Sequence, residues 1–471
     1  MSGAREGEGH RPWNILFVMT DQQRWDALGC VGGSVETPAL DRLAQEGVLF
    51  SNAVTNAPGC IPARASLATG LYPHQSGVWR DEPFTLDPAR PNWMRAIRDA
   101  GYSTAVFGKT HLHQPASDLR DDVSLLSAYG FDTIDEISGP WGSRWTRSNM
   151  TDEWETHGLW NAFRDDLQHR LNSRHVVRPS PLGVEYYYDT YVGRRSRAFL
   201  RQYHDPRPWF VWVSFAGPHE PWDTPGPYAT RYRAGDMPAA VERPADLGHA
   251  PPGLLQERLS STGPWNPRLE PGDIARLRAN YAGEVTLIDE QIGALIDVVR
   301  ERGELDRTVV AFASDHGEMN GDYGLLFKSV FLNGAVRIPL IIRTPDTARS
   351  AITRVSSAPV ELMDLGITLA VLAGVREPPL GCGKSLGGVL KGDEQGVRTD
   401  ALAEVRGEYM LLTDRWKIAF RSDLTPYLLF DVHEDPTERR NLAGERRVRE
   451  IEEALSNRLR DRIDESRETK Q

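Results

Sequence analysis

Residues 14–22 read NILFVMTDQ, an apolar run that stops at an acid and an amide. A short, continuous apolar run between polar residues predicts a strand that is buried on both faces. Farther along, Thr37 as the cap and Pro38 as the first helical residue predict a helix that ends near Gly47. A buried strand followed by a helix is the repeating unit of an α/β fold.

The same alternation continues through most of the chain. Further buried strands are predicted at 103–107, 209–215, 309–313 and 336–342, with helical stretches between them. The longest helix is predicted over 274–302, where apolar residues recur at helical spacing. Strands that alternate with helices predict a mostly parallel sheet sandwiched by helices.

The pattern changes near residue 381. Short strands are predicted at 401–405, 409–413, 417–420 and 427–430, followed by a charged helix near 446–463. We therefore expect an α/β domain over 1–378 and a small α+β subdomain with an antiparallel sheet over 379–471.

The segment 115–188 has no clear period and is rich in Trp, Arg, Asp and Gly. A long stretch of this kind predicts an insertion over one face of the sheet, above the active site. Trp141 and its neighbours could stack against a sugar or aryl ring. Packing within the insertion is the simpler interpretation of these tryptophans, and we favour it.

Composition narrows the functional classes. The chain has 471 residues, 40% apolar and 26% charged, as expected for a globular protein with a large domain and a smaller one. Its net charge of -11 argues against binding to nucleic acid or to an anionic membrane. The N-terminal stretch is too poor in apolar residues for a secretion signal or a membrane span, and three scattered cysteines do not make a disulfide framework. We expect a cytoplasmic protein, and the oligomeric state stays open.

Polar residues follow four of the predicted strands, where an open parallel sheet binds its ligands. Any one of them could be an ordinary loop residue or helix cap. Together they would bury several charges, which is costly unless the charges pair or bind a metal. The residues are Asp21, Gln22, Lys109, His111, His219, Asp315 and His316.

Carboxylate, amide and imidazole ligands suit a hard divalent cation such as calcium, magnesium or manganese. We therefore predict a metal site formed by Asp21, Gln22, Asp315 and His316.

The most specific segment spans 58–70 and reads PGCIPARASLATG. Pro62 presets the backbone of a first helical turn, so Cys60 is predicted at the amino end of a helix. Free N–H groups there would lower the pKa of a thiol or stabilise an oxyanion. A small buried thiol and an ordinary cysteine nucleophile are the alternatives, although the latter would not explain a metal site.

Cys60-x-Pro62-x-Arg64, followed by ASLATGLYP, resembles the signature of the sulfatase family, in which the cysteine is oxidised to formylglycine. The resemblance extends over nearly the whole chain. Its further motifs are GKTH at 108–111, PHEPW at 218–222, YAGEV at 281–285, DHGE at 315–318, Lys328, and LFD at 429–431 with Asp435-Pro436. Two departures stand out: Gln22 replaces the second of two usual acids, and Thr110 stands where tryptophan is common.

The resemblance implies an alkaline phosphatase-like fold and hydrolysis of a small-molecule or carbohydrate sulfate ester. It also implies maturation by a formylglycine-generating enzyme and one divalent metal, calcium before magnesium or manganese, with the residue derived from Cys60 among its ligands. In this family one oxygen of a hydrated aldehyde attacks sulfur, and sulfate leaves as the aldehyde re-forms. By resemblance, Arg64 steadies the formylglycine, and Lys109 and Lys328 bind sulfate oxygens. His219, alone or together with Lys328, protonates the leaving oxygen, and His111 assists the diol.

Two other functions stay open. A phosphonate monoester hydrolase or phosphodiesterase of the same superfamily would use the same diol and metal, and Asp21-Gln22 resembles those enzymes. Lys109 and His111 favour sulfate, because the phosphonate hydrolases usually have uncharged residues there. A non-catalytic anion-binding relative with an unmodified Cys60 is the third possibility, which the complete set of polar residues argues against.

Overall fold

The structure is a computed structural model that describes residues 12–244, 253–264, 266–350, 354–379, 381–393 and 396–468. Residues 1–11, which carry part of the localisation prediction, lie outside the described residues. The strands are β1 (Asn14–Thr20), β2 (Val48–Phe50), β3 (Ala53–Val54), β4 (Ser103–Gly108), β5 (Thr133–Glu136), β6 (Trp209–Ser214), β7 (Thr308–Ser314), β8 (Leu340–Arg343), β9 (Val355–Ser356), β10 (Val360–Glu361), β11 (Asp400–Val405), β12 (Glu408–Thr413), β13 (Trp416–Phe420) and β14 (Pro426–Asp431).

The helices alternate with these strands through the first three quarters of the chain. They are α1 (Pro38–Glu46), α2 (Cys60–Thr69), α3 (Pro73–Ser76), α4 (Trp93–Asp99), α5 (Val123–Tyr129), α6 (Gly139–Gly142), α7 (Asn149–Thr156), α8 (Leu159–Arg170), α9 (Tyr188–Gln202), α10 (Leu254–Ser260), α11 (Pro271–Glu301), α12 (Asn333–Val336), α13 (Pro345–Arg349), α14 (Leu362–Leu372) and α15 (Arg449–Glu468). Among the described residues, none of these helices has both the length and the apolar content needed to cross a bilayer.

The central sheet has eight strands in the order β5-β4-β6-β1-β7-β8-β2-β9. Strand β1 lies in the middle and pairs in parallel with β6 and β7. Only β8 runs antiparallel to both of its neighbours. The mostly parallel sheet expected from the sequence is confirmed.

Both faces of this sheet are buried, which is why its strands are continuous apolar runs. Successive side chains of β1 point to opposite faces. Ile15 and Phe17 join a core with Trp93 of α4, while Leu16 and Val18 join a core with Ile288 of α11. The helices therefore sandwich the sheet, as predicted.

The C-terminal strands form a separate antiparallel sheet in the order β11-β12-β13-β14, against which α15 packs. This confirms the predicted four strands and one helix. Arg462 of α15 donates to Tyr72 Oη at 2.5 Å and to Glu361 Oε1 at 2.8 Å, so buried polar contacts join α15 to the larger part of the molecule.

Two local predictions need correction. The segment 115–188 is not only an insertion, because its strand β5 pairs in parallel with β4 at the edge of the central sheet. The strand predicted at 336–342 begins later, at Leu340, since Asn333–Val336 forms one helical turn. Within 115–188, the packing interpretation holds for Trp154 and Trp160, which are buried and donate their indole N–H groups to backbone carbonyls. Trp145 is exposed instead, and Trp141 lines a cavity.

Candidate active site

Cys60 is the first residue of α2 and is buried at the carboxyl edge of the central sheet. Its Sγ lies 3.2 Å from His316 Nε2 and 3.5 Å from Asp21 Oδ1. Lys328 Nζ approaches the same sulfur at 3.0 Å. The predicted position at a helix start is confirmed, and it places the side chain among the charged residues that follow β1 and β7.

Four buried residues fit a divalent cation: Asp21, Cys60, Asp315 and His316 offer ligand atoms that all lie within 4.8 Å of one another. His316 Nδ1 is hydrogen bonded to Gly317 O at 2.9 Å, which turns Nε2 toward the other three ligands. Two buried carboxylates and an imidazole held by a backbone carbonyl are a common donor set for such a metal.

Arg64 lies one turn along α2 from Cys60 and is completely buried. Its Nε donates to Asp315 Oδ2 at 2.8 Å and its Nη2 to Asp21 Oδ2 at 3.3 Å. The remaining nitrogen, Nη1, donates to Lys109 O and Ser214 Oγ. The guanidinium therefore orients both carboxylates and compensates part of their charge.

Lys109 is brought to the site by a glycine. Gly108 ends β4 at φ 101°, and a Cβ there would lie 1.9 Å from Ser214 O of β6, so no larger residue fits. The chain then turns, Lys109 N donates to Ser214 O at 3.0 Å, and Lys109 Nζ reaches Asp21 Oδ2 at 2.5 Å.

Gln22 has a left-handed backbone, with φ at 69°. Its Nε2 donates to Glu318 Oε2 at 2.6 Å and to Glu220 Oε2 at 3.2 Å, and its Oε1 accepts from Lys328 Nζ at 2.7 Å. Gln22 thus borders the cluster of metal-type ligands and links Lys328 to two buried acids.

His219 and His111 both have lowered pKa values. For His219 the causes are burial and then the charge of Lys328, and for His111 they are burial and then Lys109. His219 Nδ1 is hydrogen bonded to Glu220 O at 2.7 Å. His111 has φ at 53°, and its Nδ1 is buried without a hydrogen-bond partner.

The thiol of Cys60 does not have the lowered pKa that its helix position predicted. Burial and the carboxylate of Asp21 raise the pKa well above its usual value, and the opposing charges of Lys328 and Lys109 are outweighed. The prediction was wrong because the helix end is desolvated and lies beside an acid.

These residues meet at a cavity of about 360 Å³. Five of the six predicted catalytic residues line it, and the sixth, Arg64, lies behind Cys60. One wall comes from α6 and the end of β5, and it adjoins Lys109, since a Cβ at Gly139 of α6 would lie 3.3 Å from Lys109 Cδ. The lining includes Cys60, Asp81, Lys109, His111, His113, Leu119, Glu136, Ile137, Pro140, Trp141, Arg174, His219, Glu220, Phe327 and Lys328.

Several residues of the site were missed. Glu220 and Glu318 stand inside quoted motifs, beside His219 and His316, and could have been chosen on that ground. Glu136 and Arg174 come from the segment read as an insertion, and nothing in their local sequence marks them. Ser214 lies within the strand predicted at 209–215 and ends β6, and nothing in its local sequence marks it as a partner for Arg64.

A helix start with a modifiable side chain, a buried cluster of metal-type ligands and two lysines at the head of a cavity define a hydrolytic site for anionic esters. The family model named Sulfatase matches residues 13–375, and the model for the C-terminal part of N-sulphoglucosamine sulphohydrolase matches 321–465. The chain belongs to the sulfatase family and is a sulfuric ester hydrolase.

Individual relatives resemble the chain over nearly its full length. An arylsulfatase of Clostridium perfringens is 28% identical over 93% of this chain and 91% of its own. A choline-sulfatase of Rhizobium meliloti is 29% identical over 91% of this chain and 82% of its own. Among solved structures, a phosphonate monoester hydrolase of Agrobacterium radiobacter has a TM-score of 0.79 at 26% identity, covering 97% of this chain and 96% of that one.

Proposed function

We propose that the nucleophile of this sulfatase is a formylglycine made from Cys60 by a formylglycine-generating enzyme, and that it acts beside one divalent metal. Asp21, Asp315 and His316 would hold the metal with the modified residue 60, and Gln22 borders them. Calcium is the first candidate, before magnesium or manganese, because oxygen ligands predominate. The observation that carries the proposal is the position of Cys60, at a helix start between the ligand cluster and Lys328.

The modified residue supplies a hydroxyl nucleophile, and the metal makes that hydroxyl more acidic. The protein's own contribution is binding and orientation. Arg64 holds Asp21 and Asp315 in place, and Lys109 and Lys328 present ammonium groups to the anionic ester at the head of the cavity. These groups are fixed before the substrate arrives, which favours charge development in the transition state.

His219 is the proposed proton donor to the leaving oxygen. Its Nδ1 is held by Glu220 O, so Nε2 is the atom left to serve the substrate. Binding of an anionic ester favours the protonated ring, in which Nε2 donates. His111, on the same cavity wall, would assist the hydrated nucleophile.

The decisive experiment is the mass of the peptide containing Cys60, after expression with and without the maturation enzyme. We expect the aldehyde form and sulfatase activity to appear together, and Cys60→Ala to lack both. A preparation in which Cys60 is wholly thiol, yet hydrolyses an aryl sulfate at full rate, would contradict the formylglycine. Calcium, magnesium and manganese added to metal-free enzyme would rank the metals.

Hydrolysis of phosphonate monoesters is a second candidate activity. Gln22 and the likeness to a solved phosphonate monoester hydrolase favour it. Lys109 and His111 on the cavity wall favour sulfate. Values of kcat/KM for an aryl sulfate and for an aryl phosphonate monoester with the same leaving group would rank the two activities.

We also propose a cytoplasmic location, which the three scattered cysteines, too few for a disulfide framework, support. Cell fractionation with an antibody to the protein tests this. Recovery in an extracytoplasmic fraction would contradict it.

A further inference from the structure

Trp145 is the large apolar side chain with the highest exposure among the described residues, at 66%. Two arginines lie over its ring: the guanidinium carbon of Arg144 is 4.7 Å from the ring centroid and that of Arg164 is 5.9 Å away. Arg144 is itself buried, whereas Arg164 is half-buried, so the exposed indole has one accessible guanidinium beside it, an unusual surface for a protein of net charge -11.

The two arginines are not neutralised. Among the described residues neither Arg144 nor Arg164 has an acidic side chain at ion-pair distance, and Arg144 Nη2 donates instead to Gln168 Oε1 at 2.7 Å. The neighbouring Arg147, by contrast, pairs with Asp152 and Glu155. Two like charges side by side are unfavourable unless an anion joins them.

This surface continues a row of arginines that begins in the cavity. Arg174 lines the cavity and lies over the ring of Trp141 at 4.2 Å. Burial lowers the pKa of Arg174, the charge of Glu220 partly offsets this, and the charge of Arg144 lowers the pKa further. The pKa of Arg144 is lowered by burial and then by the charge of Arg164. Arg144 is therefore an electrostatic neighbour of both Arg174, which lines the cavity, and Arg164, which lies beside Trp145.

The backbone joins the surface to the cavity as well. All four residues of α6 line the cavity, and Trp145 N donates to Gly142 O of that helix at 2.9 Å. Trp160 Nε1 donates to Ser143 O at 2.8 Å and so fixes the turn between them. Trp145 is therefore held three residues beyond the cavity wall.

We propose that Trp145 and Arg164 bind a second sugar unit of a sulfated oligosaccharide, whose ester is hydrolysed in the cavity, and that the buried Arg144 adds its positive charge nearby. The apolar face of a sugar ring packs on the exposed indole, and a sulfate or carboxylate of that unit pairs with the guanidinium of Arg164. Planar guanidinium groups suit such oxyanions because they donate two parallel hydrogen bonds. This assignment rests on the proposed function, hydrolysis of a sulfate ester in the cavity. It adds that the alcohol part of the ester is an oligosaccharide that carries a further negative charge.

The first test compares two substrates in the matured enzyme. Trp145→Ala should raise KM for sulfated tetrasaccharides about three- to tenfold, and Arg164→Gln about two- to fivefold at low salt. Neither variant should change kcat/KM for a small aryl sulfate. Arg460→Gln, on the exposed side of α15, removes the same charge elsewhere and is the matched control.

The second test measures ligand binding to this surface in the absence of catalysis. Calorimetry on the inactive Cys60→Ala protein would measure binding of heparin-derived and galactan-derived sulfated tetrasaccharides, of their desulfated forms, and of hexaglutamate. We expect one sulfated tetrasaccharide to bind, and to bind more weakly after Trp145→Ala, even if the chain proves to hydrolyse another ester.

Three results would overturn the proposal. The first is no binding of any tetrasaccharide, and the second is equal binding with and without Trp145. The third is equal affinity for hexaglutamate, which would show a general anion surface.

Discussion

Glu136 ends the edge strand β5 and is buried beside the loop that carries two site residues. One carboxylate oxygen accepts from Thr110 Oγ1, and the other lies 2.9 Å from His113 Nε2. Thr110 follows Lys109, and His111 stands between the two partners of Glu136. A single carboxylate therefore fixes the loop 109–113, and we expect Glu136→Gln to disturb catalysis without touching the nucleophile.

The size of the effect follows from the two contacts. A glutamine keeps an oxygen that can accept from Thr110 but loses the charged contact with His113. A hydrogen bond to a charged group contributes about 1.5–3 kcal/mol, so Glu136→Gln should lower the free energy of unfolding by about 1.5–3 kcal/mol. Small displacements of positioned groups are costly in rate, and we expect kcat/KM for an aryl sulfate to fall about 10- to 100-fold.

His113 adds a pH signature to this variant. Burial alone would lower the pKa of His113, but the hydrogen bond and charge of Glu136, together with Asp122, outweigh it and raise the pKa. A raised histidine pKa gives stability that is fully present below about pH 6.5 and is lost as pH rises through the folded-state value. Glu136→Gln should remove that part of the pH dependence.

Urea unfolding at about pH 5, 7 and 9 and steady-state kinetics would measure both effects. Glu404→Gln is the matched control. Glu404 lies in β11 of the C-terminal sheet and forms a similar buried pair with His74, with Oε1 2.7 Å from Nδ1. Glu404→Gln should lower the free energy of unfolding and leave kcat/KM unchanged. If Glu136→Gln also cost only stability, or if Glu404→Gln slowed turnover equally, Glu136 would have no positioning role.

Four further outcomes are expected. His219→Ala should lower kcat by about 10²- to 10⁴-fold and leave calcium affinity nearly unchanged; an unchanged kcat would remove His219 from the acid role. Lys109→Ala should impair hydrolysis of an anionic sulfate ester more than that of a neutral ester, as paired kinetics would show; equal losses argue against sulfate binding. Arg64→Met removes the guanidinium that pairs with Asp315 and leaves Asp21 paired with Lys109, so the metal-free protein should lose about 3–5 kcal/mol in urea unfolding, and calcium should raise its Tm more than that of the parent; equal calcium effects would contradict this. Burial raises the pKa of Asp289 to about 7, so the folded state keeps a proton that the unfolded state has released above about pH 4; stability should fall from about pH 4 to 7, and Asp289→Asn should abolish that slope, by about 4 kcal/mol at most.

The central fold could be predicted because burial leaves a clear pattern in the sequence. Strand β1 is buried on both faces and is apolar at nearly every position, so its assignment needed no knowledge of its neighbours. Strand β5 was missed because it lies at the sheet edge, is half-buried over Thr133 and Ile134, and ends in two acids. Its assignment depends on pairing with β4, a contact that its own four residues do not encode.

The residues of the site likewise divide into those that the sequence predicts and those that it does not. Residues after apolar strands, such as Asp21 and Asp315, could be chosen because strand ends of a parallel sheet converge. Glu136 and Arg174 could not, since their partners are distant in sequence and their local surroundings are irregular. The left-handed backbone at His111 is equally hidden, because histidine adopts that conformation more often than most residues do but still uncommonly.

The departure at Gln22 has a physical explanation in this arrangement. Its amide nitrogen donates to both Glu220 and Glu318, and its oxygen accepts from Lys328. Burial and the charge of Glu220 raise the pKa of Glu318 to about 7, against the backbone hydrogen bonds from Asn320 and Phe327, which lower it. A third carboxylate here would add repulsion where charge is already unfavourable. An amide satisfies both acids and still holds the lysine. The amide at position 22 therefore suits its two acidic neighbours, Glu220 and Glu318, as well as a metal site. These three residues should be compared together when this chain is aligned with sulfatases that have acids at both 21 and 22.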